Sequence, residues 1–148
     1  MSTITPGILP RPSLAAASKL LAAADLPTED LTARHCEDFF FTGPADAPSG
    51  LVGLEIFGEV ALLRSLVVSE AQRGTGAGSA LLAHAEQHAR RRGIARIYLL
   101  TTTAEDFFAR RGYVRLPRDE APDAIRATRE FAGICPASSA FMSKELKP

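Results

Sequence analysis

Apolar positions near the start of the chain recur at helical spacing. Leu14, Ala17, Leu21 and Ala24 form one stripe behind Pro12-Ser13, which predicts a helix capped by Ser13 and ended near Asp25-Leu26-Pro27. Thr28-Glu29-Asp30 reads as the cap of a second, shorter helix. From Asp38 to Thr42 the pattern turns aromatic and extended, and positions 43–50 are a dense run of turn formers. Leu51 to Phe57 and Glu59 to Val68 are both rich in Val, Leu and Ile, with Gly58 between them, so they predict a hairpin.

Ser69 to Gly78 is a glycine-rich turn that runs directly into a helix from Ser79 to Arg92, on which Ala77, Leu81, Ala85 and Ala89 share a face. Gly93 ends it. A strand over Ala95 to Thr101 comes next, and Thr103 with Asp106 three positions later reads as a capping box for a helix through Arg111. Beyond Gly112, the pattern predicts a strand at Tyr113 to Leu116, a helix at Ala121 to Ala132 and a last strand at Ala140 to Leu146. This order predicts a mixed α/β (α+β) fold. Its central sheet has about six or seven mostly antiparallel strands and is flanked by helices.

Composition narrows the class without naming a chemistry. At 148 residues, 46% hydrophobic and 23% charged, the chain reads as one globular domain over 1–148. Lys plus Arg and Asp plus Glu balance at 17 each, so no overall field favours nucleic acid, and no apolar run predicts a membrane segment. Cys36 and Cys135 lack any CxxC spacing, which predicts neither a zinc site nor a disulfide framework. With no secretion signal in the first residues, the expected location is the cytoplasm.

The glycine loop carries the chemistry. A strand that ends in a turn rich in glycine and restarts as a helix presents unpaired backbone N–H groups to phosphate oxygens. Gly74, Gly76 and Gly78 permit close approach, and Arg73 adds a cation. A nucleoside triphosphate would need a Lys after the last glycine, and none follows Gly78. A dinucleotide fingerprint read from Gly74 meets Ser79 where its third glycine belongs, and the alternating parallel-strand pattern is missing. The third candidate is the pyrophosphate of coenzyme A.

The segments Leu63-Arg64-Ser65-Leu66-Val67-Val68 and Gln72-Arg73-Gly74-Thr75-Gly76-Ala77-Gly78-Ser79-Ala80-Leu81-Leu82 resemble the central motif of the GNAT superfamily of N-acetyltransferases. Downstream, Ala104 to Phe108 with Arg111-Gly112-Tyr113 resembles the family's second motif. More narrowly, Leu99 to Phe108 and Cys135 to Ser139 resemble a branch associated with arsenic-resistance gene clusters, and the Leu-Thr-Thr segment is also similar to bacterial glutamate acetyltransferases. The resemblance implies the GNAT fold, acetyl-CoA as co-substrate without a metal, and a small, amino-acid-like amine as acceptor, arsenic- or phosphorus-containing analogues included. It also implies a bulged strand whose amides at Leu66, Val67 and Val68 hold the pantetheine arm, beside a loop of Arg73, Gly74, Thr75, Gly76, Ala77, Gly78 and Ser79. Family members often form dimers, so a homodimer is an expectation by analogy.

Proton handling is less defined. Glu55 and Glu59, on or beside the hairpin, are candidates for the base that acts through water. The family commonly has a Tyr where this chain has Phe108, which is expected at the cofactor without a proton to give. Tyr98, Tyr113, Ser138 and Ser139 are the substitutes, Tyr113 foremost. Arg64 and Arg126 are candidate anchors for an acceptor oxyanion, with Thr102 and Ser138 beside them. A module that binds acyl-CoA without turnover is the alternative that Phe108 motivates. His84 and His88 are four apart but lack the Glu of a helical zinc motif, and Arg90-Arg91-Arg92 reads as a basic helix end.

Overall fold

The computed structural model describes residues 7–134 and 138–146, so Cys135 lies outside the described residues. Seven strands form one sheet in the order β1-β2-β3-β4-β5-β7-β6. They are β1 (Ile8–Pro10), β2 (Phe39–Thr42), β3 (Gly50–Phe57), β4 (Val60–Val68), β5 (Arg96–Thr101), β6 (Val114–Arg115) and β7 (Ala140–Glu145). Every pairing is antiparallel except β4 with β5. The expected mixed, mostly antiparallel sheet is present.

Both faces of the sheet are covered, which explains the three consecutive buried phenylalanines of β2. Alternation sends Phe39 and Phe41 to a cluster with Ala17 and Leu21 of α1 (Leu14–Ala23), and Phe40 to the opposite cluster with Leu81, Ala85 and Ala89 of α2 (Ala77–Arg91). A third cluster joins Leu62, Tyr98 and Phe141 to Ile125 of α4 (Asp123–Arg126). Full burial of each Leu, Ile or Phe side chain among them contributes about 1.5–3 kcal/mol. Gly53 is glycine because the Phe39 ring lies on it: a Cβ there would stand 2.1 Å from that ring.

Several predicted elements differ from those observed. Ser13 caps α1 as expected, its Oγ accepting from the Ala16 N–H at 3.1 Å. The second short helix at Thr28 does not form. Asp30 is turned inward to Arg64 instead, and only a 3-10 turn at His35–Asp38 follows. Thr103 does not cap α3 (Glu105–Ala109); Thr101 accepts from the Ala104 N–H at 3.0 Å. The predicted 121–132 helix is broken after Arg126 and resumes as a π-turn at Glu130–Ile134.

Candidate active site

Strands β4 and β5 pair only through Val60, Ala61 and Leu62 opposite Arg96, Ile97 and Tyr98. Beyond Leu62 the two strands run on without pairing. The divergence coincides with a bulge: β4 carries two residues, Ser65 and Leu66, opposite the single Val52 of β3. Ser65 takes a left-handed backbone, φ 62°, which re-aims the rest of β4. Between the parted ends lies a groove of about 860 Å³, lined along its length by Leu63 to Val68 of β4 and Leu99 to Ala104 of β5 and its exit.

Hydrogen-bond alternation tells which amides face this opening. The Ser69 N–H donates to the Ser49 carbonyl at 2.8 Å, so in the antiparallel ladder the N–H of the preceding Val68 points away from β3 and toward the parted strands. Leu66, two residues earlier, shares that side. Backbone donors turned into a groove suit an amide-bearing chain and a carbonyl oxygen.

At one end of the groove the chain passes through a 3-10 turn at Glu70–Gln72 and enters α2 at Gly76. Gly74 and Gly76 have φ 81° and 85°, a backbone region that favours glycine, and a Cβ on either would meet nothing within 4 Å. These glycines are required by backbone shape rather than by crowding within the protein. Ala77, Gly78 and Ser79 open the helix, and the first intrahelical bond is Ala80 N–H to Gly76 O at 3.0 Å. Their N–H groups are therefore available to an anion, as the helix dipole favours. Arg73 is exposed beside them and lines the groove. The Ser79 hydroxyl is committed to Arg111, whose Nε lies 3.1 Å away, and Thr75 Oγ1 donates to the Gln72 carbonyl. The Thr75 N–H also meets the Gln72 carbonyl, at 3.3 Å, so of these two residues the Ser79 N–H is the donor that faces a ligand.

The other end is polar and buried. Arg64, fully buried, donates to both oxygens of Asp30 at 2.6 and 2.8 Å and to Glu55 at 3.0 Å, and pairs with Glu130 at 3.2 Å. Burial works against the Arg64 charge. The Asp30 hydrogen bonds and the charges of Glu130, Asp30 and Glu55 outweigh burial and hold its proton more firmly than usual. For Asp30, burial raises the carboxyl while the Arg64 bonds and charge pull it below its ordinary value. His35 Nδ1 accepts the Thr32 N–H at 3.0 Å, leaving Nε2 toward Glu55 at 3.6 Å. Ligand atoms of Asp30, His35 and Glu55 lie within 4.8 Å of one another, but the Arg64 guanidinium bonded to both carboxylates already supplies the positive charge a metal would bring.

The structure brings together some of the expected residues and separates others. Arg64, Leu66, Val67, Val68, Arg73, Gly78, Thr102 and Phe108 line the groove. Glu55 does not; it lines a smaller cavity with Asp30 and His35 on the far side of Arg64. Glu59 lies at the hairpin tip, where its carbonyl accepts from Ala95. That is the other end of β4 from the bulge. Arg126 donates to the carbonyls of Ala121 and Asp119 and is absent from the groove. Tyr113 is buried against α2 with its hydroxyl donating to Glu86 at 3.0 Å; burial and the Glu86 charge push that phenol well above its ordinary value. Tyr98 stacks on Phe141 at 5.6 Å. Ser138 is exposed, and its neighbour Ser139 lines the groove in its place. Asp30 and Glu130, which no periodicity marks as special, complete the polar end. Cys36 is a buried thiol whose proton burial holds on.

With this geometry in place, the similarities to known proteins are specific. The model of the acetyltransferase (GNAT) family matches residues 13–116. An amino-acid acetyltransferase of Ralstonia nicotianae is 41% identical over 61 residues, which are 41% of this chain and 14% of that protein. N-acetylglutamate synthase from Neisseria gonorrhoeae, solved with coenzyme A and L-arginine, superposes with a TM-score of 0.79 at 24% identity, over 95% of this chain and 33% of that one. A GNAT-family acetyltransferase from Staphylococcus aureus superposes with a TM-score of 0.69 at 17% identity, over 95% of this chain and 98% of its own. The chain thus spans about a third or less of the first two relatives. The structural likenesses establish the fold.

Proposed function

Because the chain belongs to the acetyltransferase (GNAT) family, we propose that it transfers the acetyl group of acetyl-CoA to the amino group of a small, amino-acid-like molecule. The observation that carries this reading is the bulge at Ser65 beside the parted β4 and β5, opening beside the glycine-started helix α2. The pyrophosphate lies on the N–H groups of Ala77, Gly78 and Ser79 with Arg73 beside it. The pantetheine arm follows Leu66, Val67 and Val68 into the groove, past Phe107 and Phe108. The thioester oxygen meets an amide of β4, a contact worth on the order of 10²-fold or more in rate.

A neutral amine attacks the thioester carbon. The new C–N bond forms, the C–S bond breaks, the amine's proton leaves to water in the open groove and coenzyme A departs as thiolate to be protonated. A thiolate of ordinary basicity, pKa near ~8.5, leaves without a tyrosine. Glu59 takes no part, Glu55 acts only through Arg64, and Tyr113 is structural. The resemblance of Leu99 to Phe108 extends the acceptor class to arsenic- or phosphorus-containing amino-acid analogues, and a donor made inside the cell fits work in the cytoplasm. We take 1–148 as one acetyltransferase domain.

Purified protein mixed with acetyl-CoA and a broad panel of amino acids, those analogues included, is expected to release free thiol. Phe108 in the groove favours one second reading, a module that holds acyl-CoA without turnover. Calorimetry with coenzyme A separates the two: binding without thiol release across the panel supports the module, and absence of binding refutes both.

A further inference from the structure

The polar end of the groove has a charge that bears on the acceptor. Among the described residues, three carboxylates, Asp30, Glu55 and Glu130, share the guanidinium of Arg64, a formal excess of two negative charges over that one cation. Glu130 lines the groove itself, and the exposed Asp25 and Glu29 line the same cavity from the segment after α1. Among the described residues, the basic ones that line the groove are Arg64, already bonded to its carboxylates, and Arg73, which stands beside the glycine loop. Arg118 comes near, donating to the Ser139 carbonyl at 3.2 Å, but its guanidinium lies over the Phe131 ring and does not line the groove. His35 bonds Thr32 through Nδ1 and faces Glu55, so it adds no cation to the lining.

A second observation points to a ligand at this place. Ser139 lines the groove, is 5% exposed, and its Oγ is the one buried side-chain polar atom that finds no hydrogen-bond partner among the described residues. A buried hydroxyl left unsatisfied is disfavoured, and a bound ammonium supplies the missing donor. The same ammonium would sit in the field of Glu130 and the carboxylates behind it.

We infer that the acceptor end selects an amine carrying a second, positively charged group, such as a basic amino acid or a diamine, and disfavours a dicarboxylate. This rests on the acetyl-transfer reading and narrows its amino-acid-like acceptor. Arg64 is then an organiser of carboxylates rather than an anchor for substrate oxyanions. The second ammonium of the substrate is held by Glu130 and Ser139 Oγ while the first amine, deprotonated, attacks the thioester.

Ornithine, norvaline and glutamate match in length and differ in side-chain charge, and their acetylation is followed as thiol release from acetyl-CoA. Ornithine is expected to exceed norvaline by about tenfold in kcat/KM, the size of one desolvated charge contact, with glutamate lowest. Glu130→Gln should bring ornithine to within about threefold of norvaline while calorimetric affinity for coenzyme A is unchanged. Ser139→Ala, which disturbs no charge pair and keeps the protein testable if Glu130→Gln misfolds, should lower the same ratio. Glutamate turned over as well as ornithine, or a ratio that survives both substitutions, overturns the inference and leaves acetyl transfer standing. Coenzyme A binding with no thiol released from any amine overturns acetyl transfer itself, and this inference with it.

Discussion

Replacing Asp30 by Asn tests whether the buried Arg64 cluster holds the groove's polar end together. The substitution keeps the shape of the side chain but removes the charge that meets Arg64 through two bonds of 2.6 and 2.8 Å, with the two side chains 0% and 4% exposed. Removing one partner of a buried ion pair costs about 3–5 kcal/mol, because the survivor is left charged and desolvated. Here Glu55 and Glu130 remain within 3.0 and 3.2 Å of the guanidinium, so the low end, about 3 kcal/mol, is expected. For a domain of this size that is a fall of about 10 °C in the melting midpoint. The pH dependence has a definite sign. Asp30 is held below its ordinary value of 3.8, so its stabilisation is complete above that pH and is lost as pH falls through the lower folded value. Thermal melts from pH 7 to 2.5 should therefore converge for the wild type and Asp30→Asn at the acid end. A loss under about 1 kcal/mol at pH 7, or curves that stay parallel into acid, would refute the account of Arg64 as charge-matched through Asp30.

Gly76→Ala forces a side chain into φ 85° at the start of α2 and should cost about 1–2 kcal/mol in stability, with a raised KM for acetyl-CoA in the thiol-release assay. Tyr113→Phe should lose about 1.5–3 kcal/mol in urea unfolding, since the Glu86 carboxylate gives up one of its donors and keeps Lys144 at 2.9 Å. The same variant should leave the pH profile of kcat unmoved, an outcome incompatible with Tyr113 as the proton donor. Burial, followed by nearby positive charge, holds His84 below its ordinary value of 6.5, and burial outweighs Asp38 to do the same for His88. Their neutral forms stabilise the fold above pH 6.5, so melting midpoints should begin to fall as pH drops below it, and His84→Phe should flatten part of that slope.

The residues that were legible in the sequence are those whose roles are set by local backbone geometry. Ser13 announces α1 because a cap is a three-residue contact, and Gly76 announces the start of α2 because a left-handed residue before a helix has few occupants other than glycine. The broken 121–132 helix was not legible. Its apolar positions Ala121, Ile125 and Ala132 recur at spacings that a helix permits, while the chain turns after Arg126 so that Glu130 reaches Arg64. The same holds at Thr28 to Asp30, where a local reading favours a cap and the tertiary structure draws the carboxylate onto a guanidinium 34 positions away. Both failures have one physical cause. An arginine buried in β4 must be matched by carboxylates from wherever the fold can supply them, and that demand overrides local helix preference on the two segments that border the groove. These two segments are therefore ones that give the polar end of the groove its charge, which is why the glycine-loop end was readable from one motif and the polar end only from the folded chain.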